Sequence, residues 1–130
     1  MRAASWSKGP SATCSTVRSI LFLDTFPYNA GTVASDAIRM RLPLLTLSGR
    51  SFASRMAGRL LTAIGAGRGI AATLDQYVDT AVTLATDRDA YAAYKAVFGE
   101  ESWRTGIGNM VDFTAEFEAS LLRVVKRPVA

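Results

Sequence analysis

Two short segments hold the residues best suited to chemistry. Asn29, Gly31 and Thr32 cluster in one, and Ser48, Gly49 and Ser51 in the other. All are small or carry hydrogen-bonding groups, and each segment runs into a stretch with helical spacing. Such a junction leaves unpaired backbone N–H groups at the positive end of a helix dipole, where an anion is held. A diphosphate laid across Gly31-Thr32-Val33 would meet those donors. Asp36, one turn further, would accept hydrogen bonds from the hydroxyls of a ribose. The same residues also have a plainer use. Thr32 and Ser51 are good helix caps, and an acid one turn into a helix complements the dipole. Both readings stand on the residues alone.

Other chemistries are narrowed by composition. There is no histidine, which removes a His base, a His nucleophile and a His metal ligand. The single cysteine, Cys14, has no internal disulfide partner and no companions for a zinc knuckle. No metal site and no catalytic residue is therefore assigned, and a reduced, cytoplasmic setting is expected. Ser15, Ser35 and Ser54 lack a histidine to activate them. Glu100 and Glu101 are adjacent, so on a regular element they point apart, and a solvated loop is expected there. Tyr77, Tyr91 and Tyr94 fall at helical spacings and read as core or interface residues. Gly65, Gly67 and Gly69 have the wrong spacing for a dinucleotide fingerprint and follow a helix rather than a strand.

The chain has 130 residues, of which 49% are apolar and 20% charged. One domain with a real core is expected, and global disorder is not. Apolar runs such as Ile20–Leu23 are short, far from the ~20 residues of a membrane-spanning helix. The net charge of +4 conceals segregation. Residues 37–74 carry Arg39, Arg41, Arg50, Arg55, Arg59 and Arg68 without an acid. Residues 75–118 are strongly acidic, and the tail is basic again. The blocks can neutralise each other across a fold, or the basic one can hold an anionic ligand. Nucleic acid is the weaker version of the second reading, because aromatics are not interleaved with the arginines and no recognition motif occurs.

Residues 1–19 are Ser/Thr-rich, basic and acid-free, which fits a disordered or non-native leader, or a targeting segment. The folded part is expected over residues 20–130. Ile20–Leu23 and Leu44–Leu47 read as short strands buried on both faces, and each precedes a helix, near 33–40 and 52–64. Phe52, Met56, Leu60 and Ile64 form one stripe of the second helix, and Arg55 and Arg59 share another face. Further helices are expected over 74–86, 87–98 and from about 112 to 125, with a connector at 65–72 and a loop at 99–108. The expected class is α/β, with two short parallel strands and four or five helices. Two strands are few for a sheet, so an exposed sheet edge is expected to take a second copy or a missing domain. In such sheets ligands bind beyond the carboxyl ends of the strands, which here are the two segments above.

A longer pattern runs through residues 21–65. Leu23-Asp24-Thr25, Tyr28-Asn29, Thr32, Asp36, Pro43, Leu45-Thr46, Gly49 and Ala53-Ser54-Arg55 follow the order and spacing of the C-terminal catalytic region of O-linked N-acetylglucosamine transferases. The sequence resembles that family, and SPINDLY-like members linked to tetratricopeptide repeats in particular. A looser likeness extends over residues 20–125. The resemblance implies a partial Rossmann-like domain, the distal part of the C-terminal half of a GT-B glycosyltransferase. It further implies UDP-N-acetylglucosamine as donor substrate, a protein acceptor, and no cofactor, metal or membrane. The family's H-T-T segment at the diphosphate maps onto Gly31, Thr32 and Val33, and its ribose-binding Asp onto Asp36. Gly31 replaces the histidine and Val33 the second threonine, so two side-chain donors are lost. Arg39 and Arg41 stand where the family often has Trp and Gly, so the next turn is expected to differ. These departures make the chain look like a truncated, divergent copy that is inactive alone. The alternatives are a non-catalytic remnant serving oligomerisation or protein interaction, and a small anion- or RNA-binding module.

Overall fold

The computed structural model describes residues 20–126. The leader expected over residues 1–19 lies outside the described residues. The elements run β1 (Phe22–Leu23), α1 (Thr32–Arg39), β2 (Leu44–Leu47), α2 (Met56–Ala63), β3 (Ile70–Ala71), α3 (Leu74–Thr86), α4 (Arg88–Ala96), α5 (Glu100–Thr105) and α6 (Met110–Val125). A 3-10 turn at Ala53–Arg55 leads into α2, and another at Gly67–Gly69 leads into β3. The class is α/β, as expected.

The sheet is parallel and ordered β1-β2-β3. Phe22 and Leu23 pair with Leu44 and Leu45, and Thr46 and Leu47 with Ile70 and Ala71. Central β2 is buried along its whole length, which is why its sequence is an unbroken run rather than an alternation. β1 departs from the expectation of burial on both faces. Phe22 is half-buried and Leu23 exposed, because β1 lies at an edge of the described sheet. β3 is a third strand beyond the two expected. It is two residues long and inside a Gly/Ala-rich stretch, so only its pairing with β2 defines it.

The helices add two further differences. Gly99–Gly108, expected as a loop, holds α5, which is capped electrostatically by Glu100 and Glu101 in its first turn. This brings the count of α-helices among the described residues to six. In α2 the buried face is Ala57, Gly58 and Leu61, continued by Ile64, while Phe52 is 76% exposed. The expected stripe is thus rotated toward the small residues. A Cβ at Gly58 would sit 3.7 Å from the Ile70 side chain, so the small face lets α2 close onto β3. The core joins Ala34, Ala37 and Ile38 of α1 with Leu44, Leu61, Leu84, Tyr94 and Phe98. Tyr94 and Phe98 meet edge to face, with ring centroids 5.1 Å apart.

Caps set the helix boundaries. Thr73 Oγ1 accepts from the Gln76 N–H, Asp87 from those of Asp89 and Ala90, and Asn109 from that of Asp112. α6 therefore starts at Met110, earlier than the spacing suggested. Asp87 both ends α3 and starts α4. At the end of α1, Leu42 N–H donates to Ala37 O, with Arg41 in the left-handed region at φ 58°. That is a Schellman turn with arginine in the glycine slot.

Candidate functional site at the carboxyl ends of the strands

Directly after β1, Asp24 is 5% exposed and holds three donors. Its Oδ1 accepts from the Thr25 and Ala30 N–H groups at 2.9 and 2.8 Å. Its Oδ2 accepts from Thr46 Oγ1 of β2 at 2.7 Å. Its main-chain oxygen accepts from the Tyr77 hydroxyl of α3. Burial raises the Tyr77 pKa, and the negative charge of Asp24 raises it further, so this phenol stays a neutral donor. Asn29, 1% exposed, closes the same loop from inside. Its Nδ2 donates to Thr25 O and Leu47 O, and its main-chain N–H donates to Ala53 O. The carboxyl ends of β1 and β2 are thereby tied to one loop, residues 24–31, which delivers the chain to the start of α1. The motif letters marked Asp24 without a role, and Asn29, expected among the ligand-facing residues of the first segment, is instead buried as scaffold. A buried acid and amide flanking a strand end were the available signal.

Gly31 is the N-cap of α1, and no side chain caps this helix. Ser35 N–H is the first to find a helical partner, Gly31 O. The N–H groups of Thr32, Val33 and Ala34 are the free donors that every helix start presents. Thr32 is the first helical residue rather than the cap the sequence suggested. It is exposed with Val33, and both face an open groove of about 670 Å³ that Tyr28, Gly31, Ser35, Met56 and Leu60 complete. Asp36 lies one turn further along α1 and is exposed; it is not among the groove-lining residues. The structure thus brings Gly31, Thr32 and Val33 together and leaves Asp36 beside them.

The second segment serves as scaffold. Ser51 Oγ accepts from Ser54 N–H, Ser54 Oγ donates to Ser51 O, and Gly49 N–H donates to Ser54 O. A Cβ at Gly49 would meet Ser54 Oγ at 2.5 Å and the Phe26 ring at 3.0 Å, so only glycine fits there. The capping role expected of Ser51 is met at the 3-10 turn that precedes α2. Arg55 and Arg59 line a depression with Phe52 and Met56. Met56 also lines the groove, whereas neither arginine does. Among the described residues, no group of His, Cys, Asp and Glu could hold a metal ion. No helix among the described residues is long and apolar enough to cross a membrane.

A parallel sheet whose strand ends open onto an uncapped helix start defines a Rossmann-like α/β unit. Residues 17–116 match the family model for glycosyl transferase family 41, and the chain belongs to that family. A probable UDP-N-acetylglucosamine–peptide N-acetylglucosaminyltransferase SPINDLY of Hordeum vulgare is 33% identical over 98 residues, 75% of this chain and 10% of the relative. Its counterpart from Arabidopsis thaliana is 29% identical over 105 residues, 81% of this chain and 12% of the relative. A mutant O-GlcNAc transferase from Thermobaculum terrenum superposes with a TM-score of 0.71 at 30% identity, covering 78% of this chain and 19% of the other. The chain thus spans about a tenth of the length of these curated relatives.

Proposed function

We propose that residues 20–130 supply the UDP-binding part of the C-terminal half of a GT-B glycosyltransferase that uses UDP-N-acetylglucosamine to modify protein. The diphosphate lies on the N-terminus of α1, held by the N–H groups of the Gly31-Thr32-Val33 turn and by Thr32 Oγ1. Asp36 accepts from the ribose hydroxyls. The single observation that carries this reading is the uncapped start of α1 facing a groove at the strand ends. Family membership supports it, as do the names of the relatives, which specify UDP-N-acetylglucosamine and a peptide acceptor.

The chemistry assigned here is binding and charge neutralisation. Developing negative charge on a departing diphosphate is stabilised by fixed N–H dipoles, at little reorganisation cost. No residue is assigned to proton transfer, and transfer of the sugar is assigned to the complete enzyme. The exposed edge at β1 is the place for a missing domain or a second copy. A cytoplasmic setting fits the lone Cys14.

Calorimetric titration with UDP tests the reading. Binding is expected, and Asp36→Ala is expected to weaken it by about 0.5–1.5 kcal/mol through loss of one hydrogen-bond acceptor. Unchanged UDP affinity in a folded Asp36→Ala protein would remove the ribose assignment. A chain that ignores UDP but binds RNA, with an affinity that falls steeply with salt, would replace the whole reading by the anion-module alternative.

A further inference from the structure

Arg55 and Arg59 stand at the start of α2, one helical turn apart, about 6 Å along the axis. With Phe52 and Met56 they line a hollow of about 330 Å³. Both arginines are exposed, and Phe52 is 76% exposed. Arg55 Nε donates to Ser51 O at 3.2 Å, which uses one of the five N–H donors of its guanidinium. Among the described residues neither arginine forms an ion pair. Nor do the charges serve the helix. The first turn of α2 holds no acid, and a cation there opposes the helix dipole. Residues 37–74 contain no acid at all. The two guanidinium groups and the positive end of the helix therefore add their potentials over one hollow.

The lining selects its ligand. A guanidinium takes a carboxylate through two parallel N–H bonds. The Phe52 ring and the Met56 thioether give apolar cover to a short methylene stem. The side chain of Glu or Asp has both parts. A nucleic-acid strand is held differently, by a charged groove and successive stacking rings over about four or more nucleotides. Here one ring and two cations span a single turn. The hollow is also distinct from the nucleotide groove, which neither arginine lines. Met56 lines both, so the two adjoin across one side chain. An extended chain advances about 3.3 Å per residue. A peptide whose hydroxyl reaches the groove therefore lays a residue a few positions away over the arginines.

We propose that the hollow at Phe52, Arg55 and Arg59 docks an acidic residue of the acceptor peptide, beside the donor nucleotide. This rests on the reading of the groove as the UDP site, and it names the acceptor class: a peptide with Asp or Glu close to the modified hydroxyl. The charge pairs are open to solvent. Docking by this chain alone is therefore weak, with a dissociation constant of about 1 mM, and it falls as salt screens the charges.

Amide NMR of the isotope-labelled full chain, titrated with a serine peptide flanked by glutamates, tests this. Resonances of Phe52, Arg55, Met56 and Arg59 are expected to shift. A peptide with lysines in place of the glutamates should leave them unmoved. Arg55→Glu together with Arg59→Glu should weaken peptide binding about tenfold. Arg55→Lys with Arg59→Lys keeps the charge without the fork, and should bind more tightly than the reversed pair and less tightly than the parent. Circular dichroism and UDP titration should be unchanged in both variants, because neither arginine belongs to the core or lines the nucleotide groove. Absence of these shifts up to about 10 mM peptide overturns the proposal. So does an equal response to the lysine peptide, or a reversed pair that binds as the parent does. An oligouridylate that moves the same resonances at lower concentration than the peptide would assign the hollow to nucleic acid instead. Glutamate-dependent shifts in a chain that ignores UDP would support the acidic-peptide hollow and remove only the nucleotide reading. UDP binding without those shifts would remove only the hollow.

Discussion

Of the residues that depart from the family's pattern, Gly31, Val33 and Arg41 have clear physical consequences. At Gly31 a Cβ would meet only the Met56 methyl, at 3.4 Å, the far end of a flexible side chain. Its φ of −99° suits any residue. Gly31→His is therefore sterically allowed, and Val33→Thr is an exposed change of similar shape. Together they return two side-chain donors to the start of α1, where charge assistance strengthens bonds to a phosphate. The double variant is expected to bind UDP several-fold more tightly than the parent. The gain should be greater at pH 6 than at pH 8, since only imidazolium adds a full charge. Equal calorimetric affinities at pH 6 would argue against a diphosphate at this turn. At Arg41 the effect is on stability. The left-handed conformation costs a side-chain-bearing residue about 1 kcal/mol. The ion pair with Glu100 that accompanies it is exposed, at 59% and 78% for the two side chains, and offsets little. Arg41→Gly is expected to be more stable than Arg41→Ala by about 1 kcal/mol, read from urea denaturation. Equal stability would mean that the turn relaxes in solution.

At the scale of elements, what was legible in the sequence is what local pattern decides. Leu44–Leu47 reads as a buried strand because four successive apolar or small residues need cover on both faces. The helices over 74–86 and 87–98 read from their apolar spacing, while the caps at Thr73 and Asp87 emerge from the structure. β3 was not legible, since two residues following a Gly-rich turn carry no period and become a strand only against β2. The rotated face of α2 was missed for a related reason. Phe52 and Met56 dominate any apolar tally, yet Ala57 and Gly58 face the sheet because they are small enough to let the helix close on it. The role of Asp24 lay hidden because its partners, Ala30 and Thr46, come from different segments. Tyr94 shows the same long-range logic and yields a pH prediction. Its hydroxyl donates to Leu44 O of β2 at 2.6 Å, and burial pushes its pKa well above the ordinary phenol value, with Arg68 opposing only in part. The fold thus favours the neutral phenol. That contribution is complete below about pH 10, where an unfolded tyrosine ionises, and is lost as pH rises further through the folded value. The parent is expected to lose urea resistance above pH 10 more steeply than Tyr94→Phe. At neutral pH the variant should be about 1–3 kcal/mol less stable, because Leu44 O loses its donor. Parallel pH profiles for the two proteins would count against a buried phenol.

The whole molecule sets the limit on activity. A glycosyl transfer needs the donor diphosphate neutralised, the acceptor hydroxyl positioned against the sugar, and water kept out. On the proposed reading the described residues supply the first in part, through one uncapped helix start. The groove is open, its lining runs from Tyr28 to Leu60, and among the described residues nothing stands opposite it to hold an acceptor. The relatives that carry the named transferase activity are about ten times longer than the matched segment. The 130-residue chain is therefore expected to bind UDP without transferring sugar. The assay is incubation of purified chain with UDP-N-acetylglucosamine and a broad protein mixture, with intact-mass and peptide mass spectrometry as readout. Products no more abundant than in a protein-free control are expected, alongside measurable UDP binding by the same preparation. Turnover above that control, abolished by Asp36→Ala, would show that one half of the cleft suffices. The acceptor would then have to be positioned by surfaces of this chain itself, with the exposed aromatic groups at Phe26, Tyr28 and Phe52 as the first to replace.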